Sequence, residues 1–158
     1  MSCVSSSSFS ILVNGKATEF FRSSRGLRQG CPLSPLLFIL VLEGLSLLLK
    51  DDKAAGDIKR IRVSRLIKII HILFVDDILI MTNASINEWI EIEGIINFFC
   101  KASGLKVNVQ KSISLYVGLS EFELAMFQNV LPYNFSLLST RFRYMGFYLS
   151  TGPKKSTD

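Results

Sequence analysis

The chain has 158 residues, of which 49% are hydrophobic and 12 are phenylalanine. This composition suffices for one domain, or for a piece of a larger one, and it excludes a chain that is disordered throughout. The formal net charge of +5 is compatible with a polyanionic partner but does not require one. Cys3, Cys31 and Cys100 form neither a zinc-ligand pattern nor a disulfide framework, which favours a reducing intracellular setting.

A membrane span is not expected. The longest apolar run, Leu36 to Leu49, is interrupted by Glu43 and is shorter than the roughly 20 residues that a spanning helix needs. No charged leader followed by an apolar core opens the chain. These features predict a protein of the nucleus or cytoplasm with no membrane partner.

The N-terminal part predicts a hairpin and then a helix. Asn14-Gly15 favours a type I′ turn between strands Phe9 to Val13 and Ala17 to Arg22. Ser34 is the predicted N-cap of a helix with Pro35 at its first position. The helix continues to Lys50 and is apolar nearly all round, which predicts burial on most sides.

Two further helices follow from capping patterns. Ser85 and Glu88 predict one capping box, for a helix that stops at Ser103 with Gly104 in the left-handed conformation. Ser120-Glu-Phe-Glu123 predicts a second box and a short helix before Pro132. Strands are predicted at Ile58–Val63, Leu105–Val109, Ile113–Val117 and Phe142–Leu149.

These elements predict an α+β domain over residues 1–150, with an antiparallel sheet and helices on one face. Residues 151–158 are polar and predict a disordered tail.

The most informative stretch is Lys68 to Met81, where Asp76 and Asp77 interrupt an otherwise apolar run. The flanks predict two buried strands, with the acids at the turn of a hairpin. An ionised carboxylate is costly to desolvate without a partner, and Mg²⁺ is commonly held by one or two carboxylates with substrate phosphates. The alternative is an ordinary turn in which Asp bonds its own backbone.

A second informative segment is Arg25-Gly-Leu-Arg-Gln-Gly-Cys-Pro-Leu-Ser-Pro35. Gly26 and Gly30 allow the backbone to approach a ligand closely, and Arg25 and Arg28 can pair with phosphates. Gln29 can contact a polar edge. The segment matches neither the dinucleotide fingerprint nor the P-loop, and a turn leading into a capped helix is the alternative.

Four segments together resemble one family, the reverse transcriptases of non-LTR, LINE-type retrotransposons, with a close likeness to plant elements. Phe74-Val75-Asp76-Asp77 resembles their Phe/Tyr-x-Asp-Asp box, and Arg25 to Pro35 resembles their Arg-Gly-x-x-Gln-Gly-x-x-x-Ser-Pro segment. Phe99 to Ser112 resembles the motif that follows, and Tyr144-Met-Gly-Phe-Tyr-Leu149 resembles the primer-gripping strand. The likeness covers about residues 3–150.

The resemblance implies a right-hand polymerase palm that acts on an RNA template, a DNA primer and deoxynucleoside triphosphates through two Mg²⁺ (or Mn²⁺) ions. It implies metal-binding acids, a lysine near the triphosphate, a nucleotide- and template-binding loop and a primer-binding strand. Asp76 and Asp77 are the implied metal-binding acids, and Lys111 is the lysine near the triphosphate. The nucleotide- and template-binding loop contains Arg25, Arg28, Gln29 and Gly30, and the primer-binding strand contains Tyr144, Met145 and Gly146.

The sequence also departs from the family pattern. The third metal-binding Asp of the family is expected upstream of the Phe9 hairpin and is not found, so we expect a partial palm without its first strand and helix. Tyr148 replaces a usual Pro, and Val75 replaces a commoner Ala. We therefore expect a nucleotidyltransferase fragment that is inactive alone. The alternatives are a non-catalytic nucleic-acid-binding remnant and a structural α+β domain.

Overall fold

The structure, a computed structural model, describes residues 7–23, 26–28, 30–51, 58–138 and 141–150. By its internal contacts the chain separates into two compact units, Met1–Ser46 and Leu47–Asp158. The predicted tail 151–158 lies outside the described residues, as do Arg25 and Gln29.

The first unit contains the predicted hairpin. Asn14 and Gly15 have φ values of 49° and 79°, as a type I′ turn requires, so this prediction is confirmed. The rings of Phe9 and Phe21 lie 6.0 Å apart between their centroids and close the far end of the hairpin. Its strands pair antiparallel as β1 (Ser8–Phe9) with β4 (Phe21–Arg22) and β2 (Leu12–Val13) with β3 (Lys16–Ala17).

Helix α1 (Leu33–Lys50) begins one residue before the predicted N-cap. The Ser34 hydroxyl donates to the carbonyl of Arg28 at 2.7 Å, so the prediction that Ser34 caps the helix is wrong. Pro35 lies in the first turn, where an amide hydrogen has no intrahelical acceptor and its loss is tolerated.

Helix α1 is buried along one stripe only. Leu42, Leu45 and Leu49 are buried, whereas the side chains of Leu36 and Leu40 are 64% and 69% exposed. The prediction of burial on most sides is therefore wrong for the described residues. With 18 residues and a mean hydropathy of 1.9, α1 is long and apolar enough to cross a membrane. One such helix is weak grounds for a span, because core helices of soluble proteins share these properties.

Two helices, α2 (Ile86–Ser103) and α3 (Glu121–Val130), carry the core of the second unit. The Phe127 ring lies 6.5 Å from that of Phe135. The Tyr133 hydroxyl donates to the Glu93 carboxylate at 2.8 Å; burial, together with this hydrogen bond, raises the pKa of Tyr133. The buried apolar side chains among the described residues of this unit are Leu49, Ile70, Ile92, Ile95, Phe99, Phe127 and Leu131.

The strands of this unit form separate pairs rather than one sheet, so the predicted continuous antiparallel sheet is wrong in the described residues. Three pairs are antiparallel: β5 (Ile61–Arg62) with β6 (Lys68–Ile69), β7 (His71–Phe74) with β8 (Asp77–Ile80), and β11 (Arg141–Tyr144) with β12 (Phe147–Ser150). The fourth, β9 (Ile113–Tyr116) with β10 (Asn134–Leu137), is parallel. Helix α3 lies between β9 and β10 in the chain, and a crossover of this kind is what a parallel pair needs. The mixed α and β composition agrees with the predicted class.

Two predicted strands take other forms. Residues 105–108 are irregular and lead into a 3₁₀ turn, Val109–Lys111, in which the Asn108 side chain accepts from the Lys111 amide. The interval Phe142 to Leu149 is a hairpin rather than one strand. Its turn is Met145-Gly146, with φ values of 57° and 85°.

The helix ends test three capping predictions. Gly104 has a φ of 76° and its amide bonds the Cys100 carbonyl, which confirms the predicted end of α2. Ser120 and Glu123 form the predicted reciprocal box at α3. The box predicted at Ser85 is wrong, because the Ser85 side chain forms no capping hydrogen bond and the Glu88 carboxylate is engaged elsewhere.

Glu88 joins three segments. Its side chain is 5% exposed; one oxygen accepts from the Lys59 amide at 3.2 Å and the other from the Asn83 amide at 3.3 Å. Lys59 precedes β5 and Asn83 follows β8, so one carboxylate of α2 holds both ends of the segment that contains strands β5 to β8.

We expect Ser120→Ala to destabilise the fold by about 1 kcal/mol, because it removes an N-cap acceptor. Ser85→Ala, at the matching position of α2, should change stability by less than about 0.5 kcal/mol. Urea unfolding followed by circular dichroism measures both, and equal effects would contradict the assignment.

This effect should depend on pH. The Ser120 hydrogen bonds lower the pKa of Glu123 below its usual 4.5. A lowered carboxylate pKa contributes stability above the unfolded value, and that contribution is lost as pH falls through the folded value. The deficit of Ser120→Ala should therefore shrink under acid conditions below pH 4.5.

We expect Glu88→Ala to destabilise the second unit by about 2 kcal/mol, because two partly buried hydrogen bonds from backbone amides to the carboxylate are lost. Glu88→Gln should fall between wild type and Glu88→Ala, since its amide nitrogen cannot accept. The neighbouring exposed Asn87→Ala, with an expected effect below about 0.5 kcal/mol, is the control. The same unfolding measurement applies, and a Glu88→Ala effect no larger than that of Asn87→Ala would refute the anchoring role.

Candidate catalytic hairpin

Strands β7 and β8 place the two acids at a hairpin tip, as the sequence predicts. The register pairs Phe74 with Asp77 and His71 with Ile80, which leaves Val75 and Asp76 as a two-residue turn. Asp76 therefore occupies the second turn position, and Asp77 begins β8. Adjacent acids on one rigid tip can reach a common ligand.

The turn is strained at Val75, which has a φ of 51°. A β-branched side chain at positive φ is a genuine outlier, and such a backbone costs of the order of 1–3 kcal/mol. The strain persists because the two paired strands determine where the turn must close. Strain of this kind is concentrated at functional sites, so the tip is a candidate on geometric grounds.

Both carboxylates lie in solvent. Asp76 and Asp77 are exposed, and so are their neighbours Phe74 and Val75, at 54% and 61%. The prediction of buried strands flanking the acids is wrong at the tip, because nothing among the described residues covers it. Water solvates the charges, so burial does not force a metal ion on this pair. The case for a cation rests on ligand chemistry and on the rest of the site.

The predicted primer-binding hairpin lies beside the acid tip. The Tyr144 hydroxyl is 3.5 Å from the carbonyl oxygen of Asp77, at the long end of hydrogen-bond distance. Partial burial raises the pKa of Tyr144, and the negative charge of Asp77 raises it further. The structure thus brings together two segments that are 67 residues apart in sequence.

Lys111, which lies in the same unit as the acid tip, is not joined to it. Lys111 is exposed, and within the described part of the chain it forms no hydrogen bond or ion pair with Asp76 or Asp77. Arg28 and Gly30 are exposed residues of the first unit. Gly30 has a φ of 81°, which agrees with the expected turn before α1.

The tip offers a partial ligand set for a divalent cation. No group of three or more His, Cys, Asp or Glu side chains among the described residues could hold a metal ion. Two neighbouring carboxylates nevertheless fit the pattern in which Mg²⁺ keeps several waters and takes its remaining ligands from substrate phosphates. Asp76 and Asp77 therefore fit the cation as part of a site.

Sequence reasoning missed two features. Glu88 was expected to cap α2, whereas it anchors the backbone on both sides of the hairpin segment. The second feature is a basic cavity, of which the sequence shows only a run of cations at residues 59–68. Asn83 also lines this cavity, and Lys50 lines a neighbouring one. No local pattern in the sequence signals these distant neighbours.

Comparison with known proteins identifies the family. The sequence profile of the reverse transcriptase (RNA-dependent DNA polymerase) family matches residues 2–149. The chain belongs to this family.

The chain is also similar to two individual proteins, one of which comes from a retrotransposable element. The Pol polyprotein of the type-1 retrotransposable element R2 from Popillia japonica is 28% identical over 115 residues, which is 73% of this chain and 18% of that protein. An uncharacterized mitochondrial protein of Arabidopsis thaliana is 48% identical over 67 residues, 42% of this chain and 55% of that protein. The chain thus spans about half of one relative and under a fifth of the other. The predicted likeness to non-LTR retrotransposon reverse transcriptases is confirmed.

We expect Asp77→Asn to lower the pKa of Tyr144 because it removes a nearby negative charge. The pKa should stay above 10.0, since burial is the larger cause of the shift. Asp76→Asn should lower it less, because Asp77 is the acid whose charge raises the pKa of Tyr144. NMR titration of ¹³Cζ-labelled tyrosine, with Tyr144→Phe for assignment, measures both values. Equal shifts in the two variants would contradict the specific contact.

Proposed function

We propose that this reverse transcriptase chain is part of a right-hand palm that binds the catalytic cation and the primer end in an RNA-directed DNA polymerase. The observation that carries the proposal is the contact between the Tyr144 hydroxyl and the Asp77 carbonyl. It joins the segment proposed to bind the metal ion to the segment proposed to bind the primer. Both segments must lie close to the reacting primer 3′-hydroxyl.

In this proposal Asp76 and Asp77 hold Mg²⁺ (or Mn²⁺) through their exposed carboxylates. Held by these two residues, divalent ions would supply the positive charge that the primer 3′-hydroxyl and the leaving pyrophosphate need. The strained Val75 turn and the paired strands fix the backbone at the two acids, so only their side chains need ordering when the ligand arrives. The Tyr144 hydroxyl, whose pKa is raised, stays protonated at neutral pH and can donate a hydrogen bond.

The remaining roles follow the family motif. Tyr144, Met145 and Gly146 bind the primer end, and the tight Met145-Gly146 turn lets the backbone approach it closely. Arg28, Gly30, Arg25 and Gln29 contact the incoming deoxynucleoside triphosphate and the template. Lys111 gives a proton to the leaving pyrophosphate. The partners are an RNA template and a DNA primer.

We further propose that the chain alone does not polymerise. A two-metal site needs enough ligands to fix both ions, and the described residues contain no group of three or more His, Cys, Asp or Glu side chains that could hold one. An incompletely held ion pair binds weakly and sits out of place, which costs orders of magnitude in rate.

A second candidate is a nucleic-acid-binding role without catalysis. The basic cavity lined by Lys59, Arg60 and Lys68 favours it, since phosphate contacts supply most of non-specific affinity. The two candidates differ at the acid tip. Only the palm proposal requires Asp76 and Asp77 to bind a cation.

We expect the chain to bind Mn²⁺ weakly and the Asp76→Asn/Asp77→Asn variant to bind it at least about tenfold more weakly, because the carboxylate ligands are lost. Electron paramagnetic resonance of free Mn²⁺ measures both affinities. Glu19→Gln, which removes another exposed carboxylate, is the control and should bind as wild type does. Equal binding by all three proteins would favour the non-catalytic role.

The same samples, supplied with RNA template, DNA primer and deoxynucleoside triphosphates, test the proposed inactivity. Extension by the wild-type chain should not exceed that of the double Asn variant. Extension that depends on Asp76 would refute inactivity while supporting the polymerase role.

A further inference from the structure

The second unit has a basic surface away from the acid tip. A cavity of about 530 Å³ is lined by Lys59, Arg60, Lys68 and Asn83. An adjacent cavity of about 220 Å³ shares Arg60 and Lys68 and adds Lys50 and His71 among its lining residues. No Asp or Glu is among the described residues that line either cavity.

The wall of the larger cavity is held in place from behind. The amides of Lys59 and Asn83 both donate to the buried Glu88 carboxylate, at 3.2 and 3.3 Å. Each Glu88 oxygen is thus occupied by one amide, and the side chain is 5% exposed. The Lys59 and Asn83 backbones are fixed, while the exposed side chains of Lys59 and Lys68 remain available to an anion.

The position of the cavities relates them to the hairpin. His71 lines the smaller cavity and begins β7, and Phe74 ends β7 just before the tip. Three steps of about 3.3 Å along β7 separate His71 from Phe74, so a strand of the acid hairpin leads from the smaller cavity to the tip.

We propose that the cavity lined by Lys59 and Lys68 binds a backbone phosphate of single-stranded RNA. Besides the two ammonium groups, the cavity offers the phosphate a neutral hydrogen-bond donor from Asn83. The choice of RNA rests on the proposed function, whereas the phosphate contact itself does not. Phosphate is the ligand class because the lining offers several cations and no carboxylate.

The test is the salt dependence of RNA binding. Affinity of the full chain for a fluorescein-labelled 12-nucleotide single-stranded RNA is measured by anisotropy at several KCl concentrations, with EDTA present. Each lost phosphate contact reduces the slope of log K against log[salt] by about 0.7 for a single strand. Lys59→Gln/Lys68→Gln should therefore lower the slope by about 1.4.

The charge-matched control is Lys16→Gln/Lys106→Gln, which removes two exposed lysines that do not line either cavity. Its slope should stay within about 0.3 of wild type, less than half of one contact. Lys59→Arg/Lys68→Arg should retain the wild-type slope. A loss in the Gln variant no larger than in the control overturns the proposal.

Lysine acetylation of the wild-type chain gives a measurement that does not depend on the variants folding. RNA should protect Lys59 and Lys68 from acetylation but not Lys16, and absent protection overturns the proposal. Inorganic phosphate distinguishes the source of the anion. If phosphate protects both lysines and RNA does not, the cavity takes free anions and the RNA site is refuted.

Failure of this site and failure of the palm proposal are distinguishable. Asp76→Asn/Asp77→Asn should leave the EDTA-treated RNA slope no smaller than that of wild type. Conversely, the Mn²⁺ affinity of Lys59→Gln/Lys68→Gln should stay within about twofold of the wild-type value. Loss of Mn²⁺ binding without change in RNA binding would count only against the palm proposal.

Discussion

The Glu88 carboxylate is the constraint on which the second unit depends. It is a buried charge on α2, and both of its oxygens accept backbone amides. A buried carboxylate is acceptable only when hydrogen bonds compensate for lost water. The compensation comes from Lys59 and Asn83, which bracket strands β5 to β8. One helix residue therefore fixes the entry and exit of the segment that carries both the acid tip and the basic cavity.

The acid tip follows a different physical logic. Its charges are exposed and need no internal partner, and its order comes from backbone pairing of β7 with β8 rather than from packing. The positive φ of Val75 is maintained by this pairing. A rigid tip in water suits a ligand that arrives with its own hydration and phosphates, because the protein supplies only part of the coordination shell.

Local features of the fold could be predicted from the sequence, and long-range features could not. Asn14-Gly15, Gly104 and the Ser120–Glu123 box act within a few residues, so their chemistry decides the outcome. Ser85 and Glu88 have the same capping pattern, yet tertiary hydrogen bonds from Lys59 and Asn83 take the Glu88 carboxylate. The parallel pairing of β9 with β10 depends on where α3 packs, which strand propensity does not encode.

In the candidate site, too, local features could be predicted from the sequence and long-range features could not. The Asp76–Asp77 hairpin was evident from its apolar flanks and turn chemistry, and the family likeness linked it to Tyr144. The exposure of the acids was not evident, because an apolar flank predicts burial only where another element covers it. Lys50 and Asn83 became neighbours of the 59–68 cations only through folding.

The contact between Tyr144 and Asp77 has a kinetic consequence. It closes a loop of 67 residues, whereas the hairpin turns close over two, and closure entropy rises with loop length. On a ribosome, the acid-bearing hairpin emerges and pairs long before Tyr144 is synthesised. The contact between the two hairpins is therefore among the last tertiary contacts to form. Until this contact forms, a newly synthesised chain can contain both folded hairpins without the hydrogen bond that holds them together.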